Sequence, residues 1–431
     1  MLVGDLLASN ARRLPDAPAW TFEGETWSWA QANRRINRLA NALSAMGFQS
    51  QDRVAILAGN SNHLAELYFA LAKADLVAVP VNPRSVAREI DFAIDQVDAR
   101  ALLVSAGLTG RLEGMETDFA RFACTVGMGE GHGMEMDYET LLAGAGDSEP
   151  LADFPETNMR AFKFTSGTTG APKGVISTHR QYLFTVANYV MQQPYDETDR
   201  GLIALPLSAG VAVQILTAYC YRACPCTILP RFDAAQVLDT IEAEGTTRLF
   251  AVPTVIITLI EEQLRKPRDL SSVKLIEYGG SPASIGLMRR ATEVLGVPFA
   301  QVFGSSETGG LISFMSPEEH KKIALGLGNN PPADDSSPMP CGREAQGYHI
   351  RVVDDEDRDV GPGEVGEMIV KCVSLMSGYW NQPELTADAL RDGWLYTGDL
   401  ARRDGDGMLY IVDRKRDMII TGGINVYSAE V

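Results

Sequence analysis

The sequence predicts an α/β fold: two α/β units with mainly parallel sheets, followed by a smaller antiparallel β segment. Three observations carry this. Apolar runs of strand length alternate with helical patterns over 53–81, the same rhythm returns over 201–277, and the texture changes from about 311 onward.

Residues 26–46 predict an amphipathic helix entered at Ser28, with Ala30, Ile36, Leu39, Ala40 and Leu43 set among Arg34, Arg35 and Arg38, and stopped by Gly47. A strand over 53–58, a helix over 64–74 and a strand over 76–81, closed by Asn82-Pro83, make a βαβ rhythm and hence parallel pairing. The second unit reads as strand 201–205, helix 211–221, strand 226–229, helix 234–244, strand 248–252, helix 254–265 and strand 273–277. No fixed period links the two, which excludes a repeat array. After a loop-like Gly-Asn-Asn-Pro-Pro run beginning at 328, strands are expected over 349–353, 366–372 and 408–412, separated by Gly- and Asp-rich turns.

The chain has 431 residues, 45% hydrophobic and 22% charged, which excludes disorder and predicts a soluble chain with more than one core. Thirty-eight Lys plus Arg against 56 Asp plus Glu leave a net charge of −18, a sign that repels nucleic-acid backbones and anionic lipid surfaces. A phosphate ligand would therefore have to be held locally, by loop amides, hydroxyls and a bound cation. The six cysteines show no paired zinc spacing, so reduced thiols are expected; Cys224 and Cys226, flanking Pro225, are read as structural. The N-terminus lacks the pattern of a secretory leader, and a cytoplasmic protein is expected. The uncharged stretch 201–221 has spanning length, but Pro206, Ser208, Gly210 and Gln214 interrupt it; strand, turn and buried helix explain it better than a transmembrane segment.

The densest chemical signal is Thr165-Ser166-Gly167-Thr168-Thr169-Gly170-Ala171-Pro172-Lys173-Gly174, after a strand-like 160–164. Small residues admit backbone amides close to an anion, the hydroxyls add donors, the glycines permit the turns of an anion nest, and Lys173 supplies a positive charge. Its spacing is not that of a Walker A loop, which removes P-loop kinases and NTPases. A few glycines alone would suit an ordinary surface turn; ten residues in one dense pattern do not.

This loop resembles that of the adenylate-forming superfamily, which comprises the acyl-CoA synthetases, luciferases and nonribosomal adenylation domains. Further matches follow in the family's order: Tyr278-Gly279-Gly280-Ser281-Pro282, the adenine turn; Gln301-Val302-Phe303-Gly304-Ser305-Ser306-Glu307-Thr308, the aromatic-Gly-x-Thr-Glu motif; Trp394-Leu395-Tyr396-Thr397-Gly398-Asp399-Leu400, the ribose segment; and the hinge run that begins at Asp413-Arg414. The resemblance implies a nucleotide site built from Thr165, Ser166, Gly167, Thr168, Thr169 and Gly170, from Gly280, Ser281 and Pro282, from Phe303, Gly304, Ser305 and Ser306, and from Asp399, Ile411 and Arg414. It implies Lys173, Ser306 and Glu307 as catalytic residues, with Glu307 the Mg²⁺ ligand, a hard oxygen donor suited to that ion. Phe303 would stack on adenine; Asp399 and Arg414 would hold the ribose. For Trp394 and Tyr396 a structural role is expected.

The reaction implied is attack of a carboxylate on the α-phosphorus of ATP, giving an acyl adenylate and pyrophosphate, then attack of a thiol on the acyl carbonyl with loss of AMP. No protein nucleophile is needed, and catalysis would rest on positioning and charge neutralisation. The implied cofactors and partners are ATP, Mg²⁺, coenzyme A and a carboxylic acid, with a carrier-protein phosphopantetheine as the alternative acceptor and oligomeric state left open. The acid pocket would be edged by Ser208, Ala209, Gly210 and Ala212, and by Tyr278, Gly279, Gly280, Gly304, Gly309 and Gly310. Relatives often carry an aromatic residue and a histidine where this chain has Ser208-Ala209-Gly210, so a bulky or aromatic acid is expected. Ser306 replaces the usual threonine at little expected cost.

In domain terms, a large N-terminal adenylation domain is expected over 1–415, with two α/β subdomains over about 1–310 and a β-barrel subdomain over about 311–415. Residues 416–431 would be the hinge, at Arg416, and the start of a small C-terminal domain not contained in the sequence. Because relatives use a lysine of that domain in adenylation, the chain is expected to bind its ligands but to form adenylate slowly. Two competing readings are an acyl-AMP ligase or carrier-loading enzyme, which a coenzyme A dependence assay separates, and a non-catalytic acyl-adenylate-binding domain, against which intact Lys173, Glu307, Asp399 and Arg414 argue.

Overall fold

The computed structural model describes residues 1–150, 153–165, 173–193, 195–327, 334–415, 419–421 and 424–426. Two compact units partition the chain. The first comprises 1–190, 194–233 and 379–381, and the second 191–193, 234–378 and 382–431.

In the first unit, seven strands run in the order Met136–Asp137, Cys124–Met128, Ala101–Ser105, Arg53–Leu57, Val77–Val81, Met159–Thr165, Lys173–Thr178. All neighbours are parallel except the last two, which pair antiparallel with Thr165 opposite Lys173. Helices Asn62–Lys73 and Ala87–Gln96 make the crossovers, as a parallel sheet requires. Val77, Val79, Leu102, Val104 and Phe162 fill the core on one face together with Ile90 and Ile94. The predicted helix 26–46 is Trp29–Ala45, and Ser28 caps it by accepting from the Gln31 amide while Gln31 answers the Ser28 amide. Four further strands of this unit are neighbours in the order Gly201–Ile203, Cys226–Ile228, Pro18–Phe22, Glu25–Ser28. The uncharged stretch resolves into the strand Gly201–Ile203, a turn and the buried helix Gly210–Arg222. No helix among the described residues is long and apolar enough to cross a membrane.

In the second unit, Arg248–Ala251, Leu275–Gly279 and Phe299–Phe303 are parallel, with helices Pro253–Arg265 and Ile285–Leu295 between them. The change of texture near 311 marks a reversal of strand direction: Ser313–Met315 and Arg343–Glu344 continue this sheet antiparallel. A separate antiparallel sheet begins at Tyr348–Val353 and takes in Val365–Cys372, Trp394–Arg403, Leu390–Arg391 and Leu409–Arg414. Its ends do not pair among the described residues, so it is a half barrel where a barrel was expected. None of the six cysteines is in a disulfide and five are buried, and among the described residues no group of three or more His, Cys, Asp or Glu could hold a metal.

Candidate active site

The first unit presents the phosphate-loop lysine. Thr165 ends one strand of the antiparallel pair and Lys173 opens the other; Ser166, Gly167, Thr168, Thr169 and Gly170 lie outside the described residues, as does Arg416. Lys173 is half-buried, and its ammonium lies 5.0 Å from the centroid of the Tyr379 ring, a cation–π contact. Behind it, the Trp380 amide donates to the Gly174 carbonyl at 2.9 Å, and the Trp380 ring meets Phe162 edge-on. The 379–381 segment therefore braces the start of the Lys173 strand, a role its sequence did not announce.

Also in the first unit, the turn that would edge the acid is tightly held. The Leu207 amide donates to Asn60 Oδ1 at 2.6 Å, the Leu207 carbonyl accepts from the Tyr68 hydroxyl at 2.8 Å, and the Ala209 amide donates to the Pro206 carbonyl. Ser208 and Gly210 are half-buried, Ala209 is exposed and Ala212 is buried in the helix that follows. The small side chains do not simply leave room. The Lys163 stem fills part of it, with Cδ and Cε 3.5 Å from where a Cβ on Gly210 would stand.

The second unit brings together motif residues that are distant in sequence. The strand Leu275–Gly279 is fully buried and ends in the exposed Gly280, Ser281 and Pro282; Gly280 has φ +84°, a left-handed conformation that glycine adopts without strain. Tyr278 is core: its hydroxyl donates to Gln301 at 3.2 Å and meets His320 Nε2 at 3.1 Å, and burial pushes the His320 imidazolium down to about 4. Gly279 is required by closeness, since a Cβ would stand 2.2 Å from the Val302 carbonyl oxygen. Phe303 ends its strand half-buried, leaving part of the ring in reach of a ligand.

The turn that follows is built around buried Thr308, whose Oγ1 accepts from the Ser305 amide and donates to the Ser305 carbonyl. Gly304 approaches Gly310 so closely that a Cβ would stand 2.4 Å away, and Gly309 and Gly310 have φ +87° and +112°. Ser306 and Glu307 are half-buried on this turn. Its far side is pinned by the Met376 amide donating to the Glu307 carbonyl and by Ser374 Oγ donating to the Thr308 carbonyl.

Asp399 and Arg414 are opposite one another on adjacent strands, with Arg414 Nε 2.8 Å from Asp399 Oδ1; Ile411, on the same strand as Arg414, faces Ala401. Asp399 is 2% exposed. Burial raises its carboxyl to about 6; Arg414 opposes that rise, and Glu307 and Glu367 add to it. Glu307 and Asp399 therefore share one electrostatic neighbourhood, in which Arg414 pairs with Asp399 and Lys415 with Glu367. A cation held by one carboxylate and by substrate phosphates, with no all-protein cage, is the usual arrangement for Mg²⁺, so these residues fit that ion. The half-buried rings of Trp394 and Tyr396 face Arg351 and Arg391 at 5.5 and 4.4 Å.

Parallel α/β sheets, a half barrel carrying an Asp–Arg pair and a Glu-bearing turn fit the expectation of an adenylate-forming enzyme. Comparison with known proteins agrees. The profile described as AMP-binding enzyme matches residues 7–380. The chain is 32% identical to a feruloyl-CoA synthase of an Amycolatopsis species, covering all of this chain and 82% of the relative, and 33% identical to a fatty acid–[acyl-carrier-protein] ligase of Streptomyces coeruleorubidus, covering 98% and 79%. Among solved structures, o-succinylbenzoate CoA synthetase of Bacillus subtilis bound to its acyl-adenylate intermediate superposes with a TM-score of 0.84 at 28% identity, covering 99% of this chain and 81% of that one; the same synthetase is also known with ATP and magnesium ion. The chain belongs to the AMP-binding enzyme family, the adenylate-forming superfamily. It is a ligase of the AMP-forming acyl-CoA synthetase kind.

Proposed function

We propose that this enzyme activates a bulky or aromatic carboxylic acid as its acyl adenylate and passes the acyl group to the thiol of coenzyme A. The observation that carries the reading is the convergence of Glu307, Asp399 and Arg414 in the second unit, which gives the nucleotide chemistry its acceptor and metal-binding groups. In this reading Lys173 and the hydroxyls and amides of the 165–170 loop hold the phosphates, and Phe303 stacks on adenine beside the Gly280–Pro282 turn. Asp399 accepts from the ribose hydroxyls while Arg414 orients it, and Ile411 closes the sugar's apolar side. Mg²⁺, when bound at Glu307, neutralises phosphate charge. The acid's carboxylate oxygen then displaces pyrophosphate in line, with Ser306 donating to the adenylate, and the thiol displaces AMP.

Support for the substrate class comes from the small residues at 208–210 and from the ferulate and o-succinylbenzoate named for relatives. The carrier-protein ligase among the relatives favours one alternative acceptor, a phosphopantetheine thiol. Incubation with ATP, Mg²⁺ and a panel of aryl and linear acids, with coenzyme A, a loaded carrier protein or no acceptor, separates these. Aryl acyl-CoA and AMP are expected. Turnover confined to short linear acids, or thioester formed on the carrier alone, would overturn the substrate or the acceptor assignment respectively.

A further inference from the structure

We propose that Glu367 is a positioning residue for ribose recognition: by holding the Gly398 amide and the Lys415 ammonium, it aims the Asp399 carboxylate at the sugar. The proposal deepens the reading above and rests on it for the assignment of Asp399 to the ribose. The half-barrel sheet breaks at this point. Glu367 faces Leu400 and Ile369 faces Tyr396, so that Met368 alone stands against Thr397, Gly398 and Asp399. Such a bulge takes backbone groups out of the ladder, and inside a protein each of them needs another partner. Side chains supply it. Thr397 Oγ1 donates to the Met368 carbonyl at 2.7 Å and accepts from the Asp399 amide at 3.0 Å, while the Gly398 amide donates to Glu367 Oε1 at 3.1 Å.

Glu367 closes a ring of contacts around Gly398. Its other oxygen, Oε2, is 2.9 Å from Lys415 Nζ, and the Lys415 amide donates to the Gly398 carbonyl at 2.8 Å. Both backbone groups of Gly398 are thus fixed, in a left-handed conformation with φ +72° that glycine adopts without strain. Asp399 follows Gly398 and Arg414 precedes Lys415, so the ring adjoins the Asp399–Arg414 pair on both strands. The direction of a side chain follows the peptide before it, and a binding group has to be held within about 0.5 Å of its productive place. A carboxylate beside Asp399 also has an electrostatic cost, since Glu367 adds to the upward push on the Asp399 carboxyl. The bond to Gly398 and the pairing with Lys415, which reaches Asp355 as well at 3.1 Å, are what offset it.

The test is calorimetric titration of the whole chain, in the presence of Mg²⁺, with ATP and with 2′,3′-dideoxyATP, whose sugar has no hydroxyl for Asp399 to accept from. The wild type is expected to bind ATP about a hundredfold more tightly, the scale on which a site built for hydroxyls rejects a ligand lacking them. Glu367→Met, which keeps the length but removes the acceptor, should cut that ratio about tenfold by weakening ATP alone. Glu367→Gln, which still accepts from Gly398, should retain most of it. Lys415→Met, a change at an exposed ion pair, should lower the ratio about two- to threefold. A ratio left unchanged by Glu367→Met overturns the inference, and so does a variant that weakens both nucleotides by the same factor, as a merely structural role would. Should Glu367→Met not fold, Lys415→Met decides, and an unchanged ratio there overturns the inference. If Asp399→Ala leaves the ratio at its wild-type value, the ribose assignment itself falls and takes the inference with it.

Discussion

The two units solve opposite electrostatic problems. In the first, cations are seated on aromatic faces: Lys173 on Tyr379, and Lys163 with Arg160 on Tyr182. In the second, the functional groups are carboxylates that burden one another, so that Asp399 is driven up to about 6 with Glu307 and Glu367 among the causes. A π face leaves a cation its full charge for a ligand, whereas a carboxylate partner would spend it. Crowded carboxylates gain from a ligand that brings a cation or hydroxyl donors. On the function proposed above, the first unit would meet anionic groups and the second a metal-bound, hydroxyl-rich nucleotide.

The sharpest way to break this contrast is Glu307→Gln, which keeps the shape and removes the charge. Adenylate formation should fall by about a hundred- to a thousandfold, the scale of one preorganised charged group lost from a reaction site. The Mg²⁺ concentration for half-maximal rate should rise with it; an unaltered Mg²⁺ dependence would remove Glu307 as the ligand.

Asp399 offers the next test, and its sign is defined. The folded carboxyl holds its proton more tightly than the unfolded chain does, so its favourable contribution is complete below the ordinary value of 3.8 and is lost as pH rises through about 6. A rise of that size corresponds to about 3 kcal/mol. Asp399→Asn, neutral throughout, should abolish that part of the decline between pH 4 and 6 in urea denaturation, and on the proposed reading, in which the ionised carboxylate accepts from the ribose hydroxyls, it should weaken ATP binding at pH 7. An unchanged slope would mean that the charge around Asp399 is screened.

Much of this was legible in the sequence. The βαβ segments, the Ser28 cap and the antiparallel tail follow from period and turn chemistry, and the motif residues follow from their order along the chain. Other elements carry weak signals. Cys124–Met128 is buried along its whole length, so it lacks the two-residue alternation that marks a half-buried strand, and the helix Ala87–Gln96 buries only Ile90, Ala93 and Ile94. The Ser313–Met315 strand is short and continues an existing sheet with reversed direction, which no local pattern encodes. At the site, Lys163 could be assigned a face by alternation from Phe162 and Phe164. That the face meets Gly210 and Tyr182 depends on packing between this strand and the two helices that follow it, His179–Gln192 and Gly210–Arg222. The brace from Trp380 to Gly174 is equally non-local.

The Glu307 turn can also be weakened from beneath. Thr308→Val keeps the volume but strips Oγ1 of both bonds to Ser305, leaving a backbone N–H without its partner at a cost of about 1–3 kcal/mol. Chemical denaturation should show that loss, with Thr308→Ser recovering most of it. A valine variant as stable as wild type would mean that the glycines at 304, 309 and 310 hold the turn unaided.

The smallest effect belongs to the aromatic seat of Lys173. Tyr379→Leu removes the π face but keeps an apolar side chain beside Val175, with which Tyr379 forms an isolated antiparallel bridge. A cation–π contact at a partly exposed site contributes about 0.5–1 kcal/mol, so the affinity for ATP should fall about two- to fivefold while Tyr379→Phe, which retains the face, stays near wild type. The same pair of variants tests whether the ring preserves the charge or merely fills space. If Leu and Phe bind ATP equally well, packing suffices, and the difference drawn between a cation on a ring and a cation on a carboxylate has no consequence at Lys173.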